Sequence, residues 1–380
     1  MVDQALQTIV EAVREASQAQ RPLRILGGGT KDFLGGEPQG EPLDVKPLRG
    51  ISAYEPSELV VTVRAGTPLA ELEAALAEKG QCLPFEPPRL GAVLGLPPLG
   101  VVAAASANGA FPGTVGGMVA SGLAGPARSA VGGVRDYLLG ATLVNGRAQV
   151  LSFGGQVMKN VAGYDVSRAL AGSMGQLGVI AEVSLKVLPV APARQTLRFD
   201  LDQATALRRV NEWAGQPLPL SASAWWDGAL IVRLQGARAA VASATQRLGG
   251  ELIPEHLADG FWNGLRDQRD EYFDQARQAV ASGARLWRLS VAPAAPRLEL
   301  GGPLLIEWGG GQRWLVTDAA AQRVRDVAAE ANGHAMVWLG DKSCGACAPV
   351  PAAERRLQMA LKAAFDPHRL FNPGRLDNLC

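Results

Sequence analysis

Apolar residues recur at helical spacing near the start of the chain. Within residues 1–20 they lie on one helical face among acids and glutamines: Leu6, Ile9, Val10 and Val13. This spacing predicts an amphipathic helix. A short apolar run, residues 24–26, follows it and predicts a strand that leads into three consecutive glycines. The chain is therefore expected to begin with a helix, a strand and a tight turn.

Two further runs predict regular structure before residue 81. Residues 59–65 are rich in valine, which favours a strand. The next segment, LAELEAALAEKG, has leucine and alanine at helical spacing. Thr67 is its expected N-cap, Pro68 suits the first turn, and Gly80 is the expected end. A strand followed by a helix is therefore predicted here.

Glycine clusters dominate residues 109–189, where they alternate with short runs rich in β-branched residues. Such runs at 141–144 and 179–187 predict strands, and the clusters favour tight turns. Glycine is common where φ must be positive or where a ligand approaches the main chain closely. No fixed repeat period is present, so a solenoid is not indicated. The segment is therefore expected to wrap around a large ligand.

The segment between residues 194 and 335 has a different pattern. Glycine becomes rarer, tryptophan and arginine become more frequent, and strands alternate with helices. Strands are predicted at 196–200, 230–235, 286–291 and 304–308. Helices are predicted at 204–214, 237–248, 271–281 and 319–331, and in the tail at 352–365. The pattern is typical of an α+β domain with a largely antiparallel sheet.

Composition and charge exclude some classes of protein. The chain has 380 residues, of which 47% are hydrophobic, so two or three folded units are expected. A formal net charge of +1 gives no electrostatic reason to expect nucleic acid or anionic lipid as a partner. No apolar run reaches the roughly 18–20 residues of a transmembrane helix, and no signal peptide is recognisable. We expect a soluble, cytoplasmic protein, with peripheral attachment to a membrane through a partner left open.

Residues 27–32, GGGTKD, follow the first predicted strand and are typical of a turn that binds an anion. Main-chain N–H groups and the threonine hydroxyl can donate to phosphate oxygens there. The spacing matches neither the G-x-G-x-x-G nor the Walker pattern, so neither of those nucleotide sites is indicated. A tight surface turn would use the same residues.

The four cysteines do not predict a metal site. Cys344 and Cys347 form one C-x-x-C pair, whereas Cys82 and Cys380 are separate from it in the sequence. A zinc or iron–sulfur site would need two more ligands at suitable spacing. A turn of small residues is therefore favoured over a redox or metal site, and no resident metal is expected.

Four segments in this order resemble the FAD-linked oxidases that have a p-cresol methylhydroxylase-type flavin domain: RILGGGTKDF, TVGGMVASGLAGP, LAGSMGQLGVIAEVSLKVLP and FDPHRLFNPGRL. The run FGGQVMKNVAGYDVSRALAGSMGQLGVI is similar to the FAD-binding (E) subunits of bacterial glycolate oxidases. The resemblance implies an α+β fold in three parts. They are a two-subdomain FAD-binding domain at 1–190, divided at about residue 50, an α+β cap with a mainly antiparallel sheet at 191–335, and a segment at 336–380 that returns to the FAD domain.

The same resemblance implies which residues approach FAD. Those expected to bind the cofactor are Gly27, Gly28, Gly29, Thr30, Lys31, Asp32, Thr114, Gly116, Gly117, Ser121, Gly122, Gly175, Gly178, Val179, Ile180 and Asn372. Arg375 is expected near the flavin ring together with Asn372. Covalent members attach FAD through histidine or cysteine in the glycine-rich loops, and these loops contain neither residue, so non-covalent FAD is expected. The polar residues of the stretch 159–168 are expected to contact flavin or a partner.

No catalytic base stands out among the residues. Relatives that oxidise 2-hydroxy acids use histidines to bind a metal and position the substrate, whereas this chain has only His256, His334 and His368. A base for this oxidation must titrate near neutral pH within reach of the substrate. His334 is the one histidine considered as this base, and the resemblance adds Asn372 and Arg375 as candidates for catalysis because it places them near the flavin ring.

The resemblance implies a subunit that binds FAD and supports oxidation of glycolate, a small 2-hydroxy acid, to glyoxylate. Its implied partners are a second flavoprotein subunit and an iron–sulfur subunit. Two alternatives stay open. One is a self-sufficient FAD-dependent oxidoreductase for another 2-hydroxy acid or alcohol, with a tryptophan-lined pocket in the cap. The other is an assembly subunit without flavin.

Overall fold

The computed structural model describes residues 3–90, 113–155 and 165–376. In chain order the helices are α1 Gln4–Ala19, α2 Leu69–Ala77, α3 Val115–Ser121, α4 Arg128–Val131, α5 Val134–Tyr137, α6 Val166–Ala169, α7 Gln203–Ala214, α8 Arg238–Leu248, α9 Glu255–Asp267, α10 Glu271–Ala281, α11 Ala321–Glu330 and α12 Ala352–Phe365. The strands are β1 Leu23–Leu26, β2 Glu41–Asp44, β3 Ile51–Glu55, β4 Val60–Arg64, β5 Gln81–Cys82, β6 Leu138–Val144, β7 Val150–Gly154, β8 Val179–Lys186, β9 Leu188–Pro189, β10 Ala193–Asp200, β11 Leu220–Trp226, β12 Ala229–Gly236, β13 Glu251–Ile253, β14 Arg285–Ser290, β15 Leu304–Glu307, β16 Gln312–Thr317 and β17 His334–Leu339.

The chain divides into two compact units. The first comprises Met1–Leu123, Gly133–Pro189 and Pro349–Cys380, and the second comprises Ala124–Gly132 and Val190–Ala348. The expected α+β fold, with a mainly antiparallel sheet in the later part of the chain, is confirmed.

The first unit contains a five-stranded sheet and a small parallel pair. The sheet has the order β3-β4-β8-β6-β7, and its neighbouring strands are antiparallel. The parallel pair is β1 with β2, in which Leu23 lies opposite Glu41. Residue Leu23 also forms a parallel bridge with Phe371, so the tail extends this small sheet. Strand β1 is thereby held on both sides directly before the glycine turn.

One hydrophobic core joins the first helix, the small sheet and the tail. Ile9 and Val13 on the predicted apolar face of α1 are buried in it, together with Leu23, Leu370 and Phe371. The helical spacing near the start of the chain therefore predicted the correct buried face. Burying such side chains contributes about 1.5–3 kcal/mol each, which attaches the tail to strand β1.

The second unit is built on an eight-stranded sheet of order β13-β10-β12-β11-β15-β16-β14-β17. All its pairings are antiparallel. The sequence pattern predicted β10, β12, β14 and β15, but not the central strand β11. That strand reads LSASAWW, and its buried serines and alanines lack the β-branched signal of a strand. Its neighbours on both sides supply the hydrogen bonds that make it a strand.

Two stretches belong to the second unit although the sequence-based boundaries place them elsewhere. Residues 124–132 were expected in the FAD domain, but Trp308 Nε1 donates to Gly125 O at 3.0 Å and holds this stretch against the second unit. Strand β17 runs to Leu339, past the expected boundary at residue 335, because it pairs with β14 over its length. The expected boundary therefore falls inside a strand that is paired to the sheet of the second unit.

Helix α2 begins differently from the prediction. Its N-cap is Pro68 rather than Thr67, and no side chain caps it. Thr67 is fully buried, and its Oγ1 accepts from Gly50 N at 2.9 Å instead. The tertiary contact therefore takes the hydroxyl that the local pattern assigned to the helix.

Among the described helices, none combines the length and the apolar composition that crossing a bilayer requires.

Candidate functional site

A cleft opens in the first unit beside the end of β1. Four pieces of chain meet there: the glycine turn after β1, helix α3, the turn before β8, and the tail. Its lining includes these residues expected at an FAD site: Gly27, Gly28, Gly29, Thr30, Lys31, Asp32, Thr114, Gly116, Gly117, Ser121, Gly175, Gly178, Ile180, Asn372 and Arg375. The structure therefore brings together segments that are more than 340 residues apart in sequence.

The glycine turn offers unused main-chain donors to the cleft. Gly29 has φ of 70°, a left-handed conformation that favours glycine. Among the described residues, no acceptor takes the N–H groups of residues 28 to 31. Consecutive N–H groups in such a turn form a concave anion site, because each unpaired donor is satisfied by an anionic oxygen. This turn fits a phosphate group.

Lys31 places a positive charge in the same turn. Its Nζ donates to Thr30 Oγ1 at 3.3 Å, and no carboxylate of the described residues lies within ion-pair distance of it. Partial burial lowers the pKa of Lys31 to about 8, because desolvation disfavours the charged ammonium. A bound anion beside Nζ would reverse that effect. The lysine and the N–H groups therefore point to the same ligand chemistry.

Arg375, in the tail, donates hydrogen bonds to the main-chain carbonyls of this turn. This side chain is 6% exposed. Its Nη1 donates to Asp32 O at 2.7 Å and to Gly36 O at 2.9 Å, and its Nη2 donates to Lys31 O at 2.9 Å. The Asp32 carboxylate in turn pairs with Arg24 at 2.5 Å. Arg375 was expected near the flavin ring; in this structure its guanidinium holds the turn that carries the anion donors.

Asn372 joins three parts of the cleft. Its Oδ1 accepts from Ile25 N at 2.8 Å, and its Nδ2 donates to Met174 O at 2.7 Å. Its main-chain N donates to Leu23 O at 2.8 Å. Both ends of the amide are thus used to join strand β1 to the turn before β8. The side chain lines the cleft and also fixes its walls.

Helix α3 brings the second glycine cluster close to strand β4. Thr114 Oγ1 accepts from Gly117 N at 3.2 Å and caps the helix. The N–H of Gly116 donates to Ala65 O at 2.7 Å, and a Cβ at residue 116 would lie 2.7 Å from the Ala65 Cβ. This glycine is therefore required by close packing of protein against protein.

Three expected site residues lie outside the cleft lining. Gly122 ends helix α3 with φ of 62°. Val179 is fully buried in the hydrophobic core. His334 is exposed at the first position of β17, in the second unit. The side chain of Val179 therefore packs in the core rather than lining this cleft.

The cleft also contains residues that sequence reasoning did not select: Arg24, Ile25, Leu26, Pro38, Val45, Ala65, Ala120 and Met174. Several of them lie at the ends of strands, next to the glycine segments. Ala65, for example, follows β4 directly. A search for residues at strand ends beside glycine turns could have found them.

The remaining sequence motifs lie elsewhere. Of the stretch 159–168, residues 159–164 lie outside the described residues. Asp165 caps α6 and pairs with Arg168 at 3.0 Å. Main-chain carbonyls of Cys344 and Cys347 accept from the guanidinium of Arg325, as expected for a turn. Within the described ranges, no three side chains of histidine, cysteine, aspartate or glutamate gather as a metal site would require.

The tryptophans of the second unit lie in several different places. Trp287 is buried in the core between β14 and α11. Trp262 of α9 donates to Thr196 Oγ1 at 3.0 Å. Trp308 and Trp314 flank Arg288 on the sheet. The tryptophans are thus divided between the core, helix α9 and the surroundings of Arg288, and the tryptophan-lined substrate pocket stays a prediction.

Gly175→Ala should destabilise the first unit by about 1–3 kcal/mol more than Gly172→Ala. Both glycines have positive φ, 72° and 84°, so both variants carry the same backbone strain. A Cβ at residue 175 would lie 2.5 Å from Asn372 Nδ2, whereas a Cβ at residue 172 meets no atom within 4 Å. Thermal unfolding of the two variants measures the difference. Equal losses would show that Asn372 can move aside without cost.

Comparison with known proteins adds independent information. A family model described as an FAD binding domain matches residues 4–98. Glycolate oxidase subunit GlcE of Escherichia coli (strain K12) is 42% identical over 371 residues, which are 97% of each chain. Glycolate oxidase subunit GlcD of Bacillus subtilis (strain 168) is 27% identical over 183 residues, 48% of this chain and 35% of that protein. A solved structure of alkyldihydroxyacetonephosphate synthase has a TM-score of 0.61 at 14% identity, covering 97% of this chain and 75% of that one, and is similar in fold.

Proposed function

This chain belongs to the family of glycolate oxidase subunits that includes GlcE, and on that premise we propose that it is the FAD-binding subunit of a glycolate oxidase. In this role it supports the oxidation of glycolate to glyoxylate within a complex. The first unit is then the FAD-binding domain, and the second unit is the cap. FAD, when bound, supplies the electron acceptor for oxidation of the carbon that carries the hydroxyl group.

The glycine turn is the observation that carries the FAD assignment to this cleft. Its unused N–H groups at residues 28 to 31 and the Lys31 ammonium would hold the pyrophosphate. Arg375 and Asn372 keep the turn and the facing wall in position. Burying a phosphate away from water requires such donors, since an unpaired buried charge is costly.

We further propose that FAD is bound without a covalent link. The described residues that line the cleft include no histidine and no cysteine, and the glycine-rich loops contain neither in the sequence. The purified chain should therefore be yellow and should release all its FAD when acid precipitates the protein. A yellow pellet would overturn the non-covalent assignment. A colourless protein that takes up no added FAD would favour the assembly subunit without flavin.

We propose that turnover of glycolate takes place in the complex, with a second flavoprotein subunit and an iron–sulfur subunit as partners. The protein is expected in the cytoplasm, or at the inner face of the cell membrane through those partners. Support for a shared role comes from the cleft, whose described lining contains no histidine to act as a base. Mixed anaerobically with glycolate, the isolated holoprotein should keep its oxidised flavin spectrum, while the assembled complex should lose it. Rapid bleaching of the isolated chain would favour the self-sufficient oxidoreductase.

A further inference from the structure

Two arginines meet the ring of one buried tryptophan in the second unit. The guanidinium carbon of Arg128, on α4, lies 4.7 Å from the ring centroid of Trp308, and that of Arg288, on β14, lies 5.4 Å from it. Trp308 has φ of 54°, which is unusual for a large side chain. Its Nε1 bond to Gly125 fixes the segment that carries Arg128. Both cations therefore lie against the same ring, in a segment whose position the Trp308 bond fixes.

Neither arginine is neutralised by the part of the protein that the structure describes. No described carboxylate lies within 4.0 Å of either guanidinium, and Arg288 uses only its Nε, which donates to Gln312 Oε1 at 2.7 Å. Arg285, on the same strand, instead pairs with Asp341 at 2.6 Å. Burial and the nearby Arg128 lower the pKa of Arg288 to about 10. Two like charges at close range are unfavourable unless an anion joins them.

A buried carboxylate belongs to the same cluster. Glu307 Oε2 accepts from Gln312 Nε2 at 2.9 Å and from Trp314 Nε1 at 2.6 Å. Gln312 therefore orients Glu307 and Arg288 through the two ends of one amide. Glu307 Oε1 accepts from none of the described residues, and burial raises the pKa of this carboxyl to about 7. The Nη groups of Arg288 and the Oε1 of Glu307 both keep hydrogen-bonding capacity.

We propose that Arg128, Arg288 and Glu307 form a binding site for a small 2-hydroxy carboxylate. The two guanidinium groups bind the carboxylate, which is the anion their planar donors match best. Glu307 Oε1 accepts from the 2-hydroxyl group. With Glu307 ionised, the cluster carries one surplus positive charge, so a monoanion neutralises it. The rings of Trp308, Trp314 and Trp338 lie around the Arg288 guanidinium, at 5.4, 5.8 and 5.7 Å between its central carbon and the ring centroids.

The choice of a 2-hydroxy carboxylate as the ligand rests on the proposed function, whereas the site itself rests on the arrangement of Arg128, Arg288 and Glu307. Titration calorimetry of the FAD-loaded full chain with glycolate, acetate and glycolamide tests both parts. Glycolate should bind more tightly than acetate, which lacks the hydroxyl, and glycolamide, which lacks the charge, should bind at least about tenfold more weakly. Equal binding of glycolate and glycolamide would overturn the assignment of the arginines.

Arg288→Gln and Arg128→Gln should each weaken glycolate binding by about tenfold to a hundredfold. Arg285→Gln is the matched control, because it makes the same change on the same strand at a paired surface arginine. Arg128 is exposed, so its variant keeps the test valid if Arg288→Gln fails to fold. If Arg128→Gln and folded Arg288→Gln both bind glycolate as tightly as the wild type, the proposed site is overturned. Normal flavin absorbance in the same samples would leave the proposed function intact. If the purified chain takes up no FAD, yet the wild type binds glycolate and both variants lose that affinity, the site is supported and the proposed function is overturned.

Discussion

Lys362→Met is expected to destabilise the first unit by about 3–5 kcal/mol, because it leaves a buried carboxylate without its counter-charge. Asp366 is fully buried, and Lys362 Nζ lies 2.8 Å from its Oδ2. The ammonium also donates to Gln176 O at 2.7 Å and to Phe371 O at 3.0 Å. Removing the lysine therefore leaves three acceptors without this donor.

The loss should extend from α12 to the cleft. Asp366 accepts from the N–H groups of Leu370 and Phe371 at 3.0 and 2.9 Å, which shapes the turn that leads to Asn372. Asn372 then holds strand β1 and the turn before β8. We expect Lys362→Met to weaken FAD binding as well as stability, because the wall of the cleft depends on this turn.

Thermal and denaturant unfolding of the holoprotein, with flavin release followed in the same samples, measures both effects. Lys46→Met is the matched control, since Lys46 pairs with Asp44 at 3.4 Å at the surface, where an ion pair contributes about 0–1 kcal/mol. A Lys362→Met protein as stable as Lys46→Met would contradict the predicted cost of an unpaired Asp366.

The parts of the fold that sequence reasoning predicted well are those whose signal is local. Helix α12 has the predicted bounds, because its helical propensity and the following Asp-Pro turn lie within one segment. The apolar face of α1 and the strands β1 and β4 follow from spacing alone. The glycine turn was also visible, because an anion site made from main-chain N–H groups needs only consecutive small residues.

The roles of the tail residues depend on contacts across the whole chain, which local patterns do not contain. Arg375 was assigned to the flavin ring, yet its hydrogen bonds hold carbonyls of the glycine turn. Lys362 lies on a helix that is otherwise mostly exposed, and nothing in its spacing distinguishes it from a surface lysine. Its burial follows from the approach of Gln176, almost 190 residues earlier.

Sequence reasoning also did not bring together the cluster around Trp308. Glu307 and Arg288 come from two strands that flank β16, and Gln312 on β16 joins them. The titration of Glu307 near neutral pH is created by burial, which the sequence around it does not reveal. Strand β16 itself was not predicted, so no register could place these residues together.

Lys31→Met should weaken FAD binding by about tenfold to a hundredfold, because one charge-assisted contact to the pyrophosphate is lost. The effect is expected to depend on pH in the wild-type protein. Without FAD the pKa of Lys31 is about 8, and a bound phosphate raises it. Below pH 8 the ammonium is already present and affinity is full. Above pH 8 binding must take up a proton, so affinity falls by up to about tenfold per pH unit.

Titration of FAD into the flavin-free protein between about pH 7 and 9.5 measures this slope. Lys31→Met should bind weakly at every pH and show no slope from this group. Lys31→Arg should keep most of the affinity and lose the slope, because a guanidinium stays charged throughout this range. Parallel pH profiles for the wild type and both variants would show that another group titrates. They would also contradict the contact between Lys31 and the phosphate of FAD. A flat wild-type profile with full loss in Lys31→Met would instead show that Lys31 contacts FAD with an unperturbed pKa.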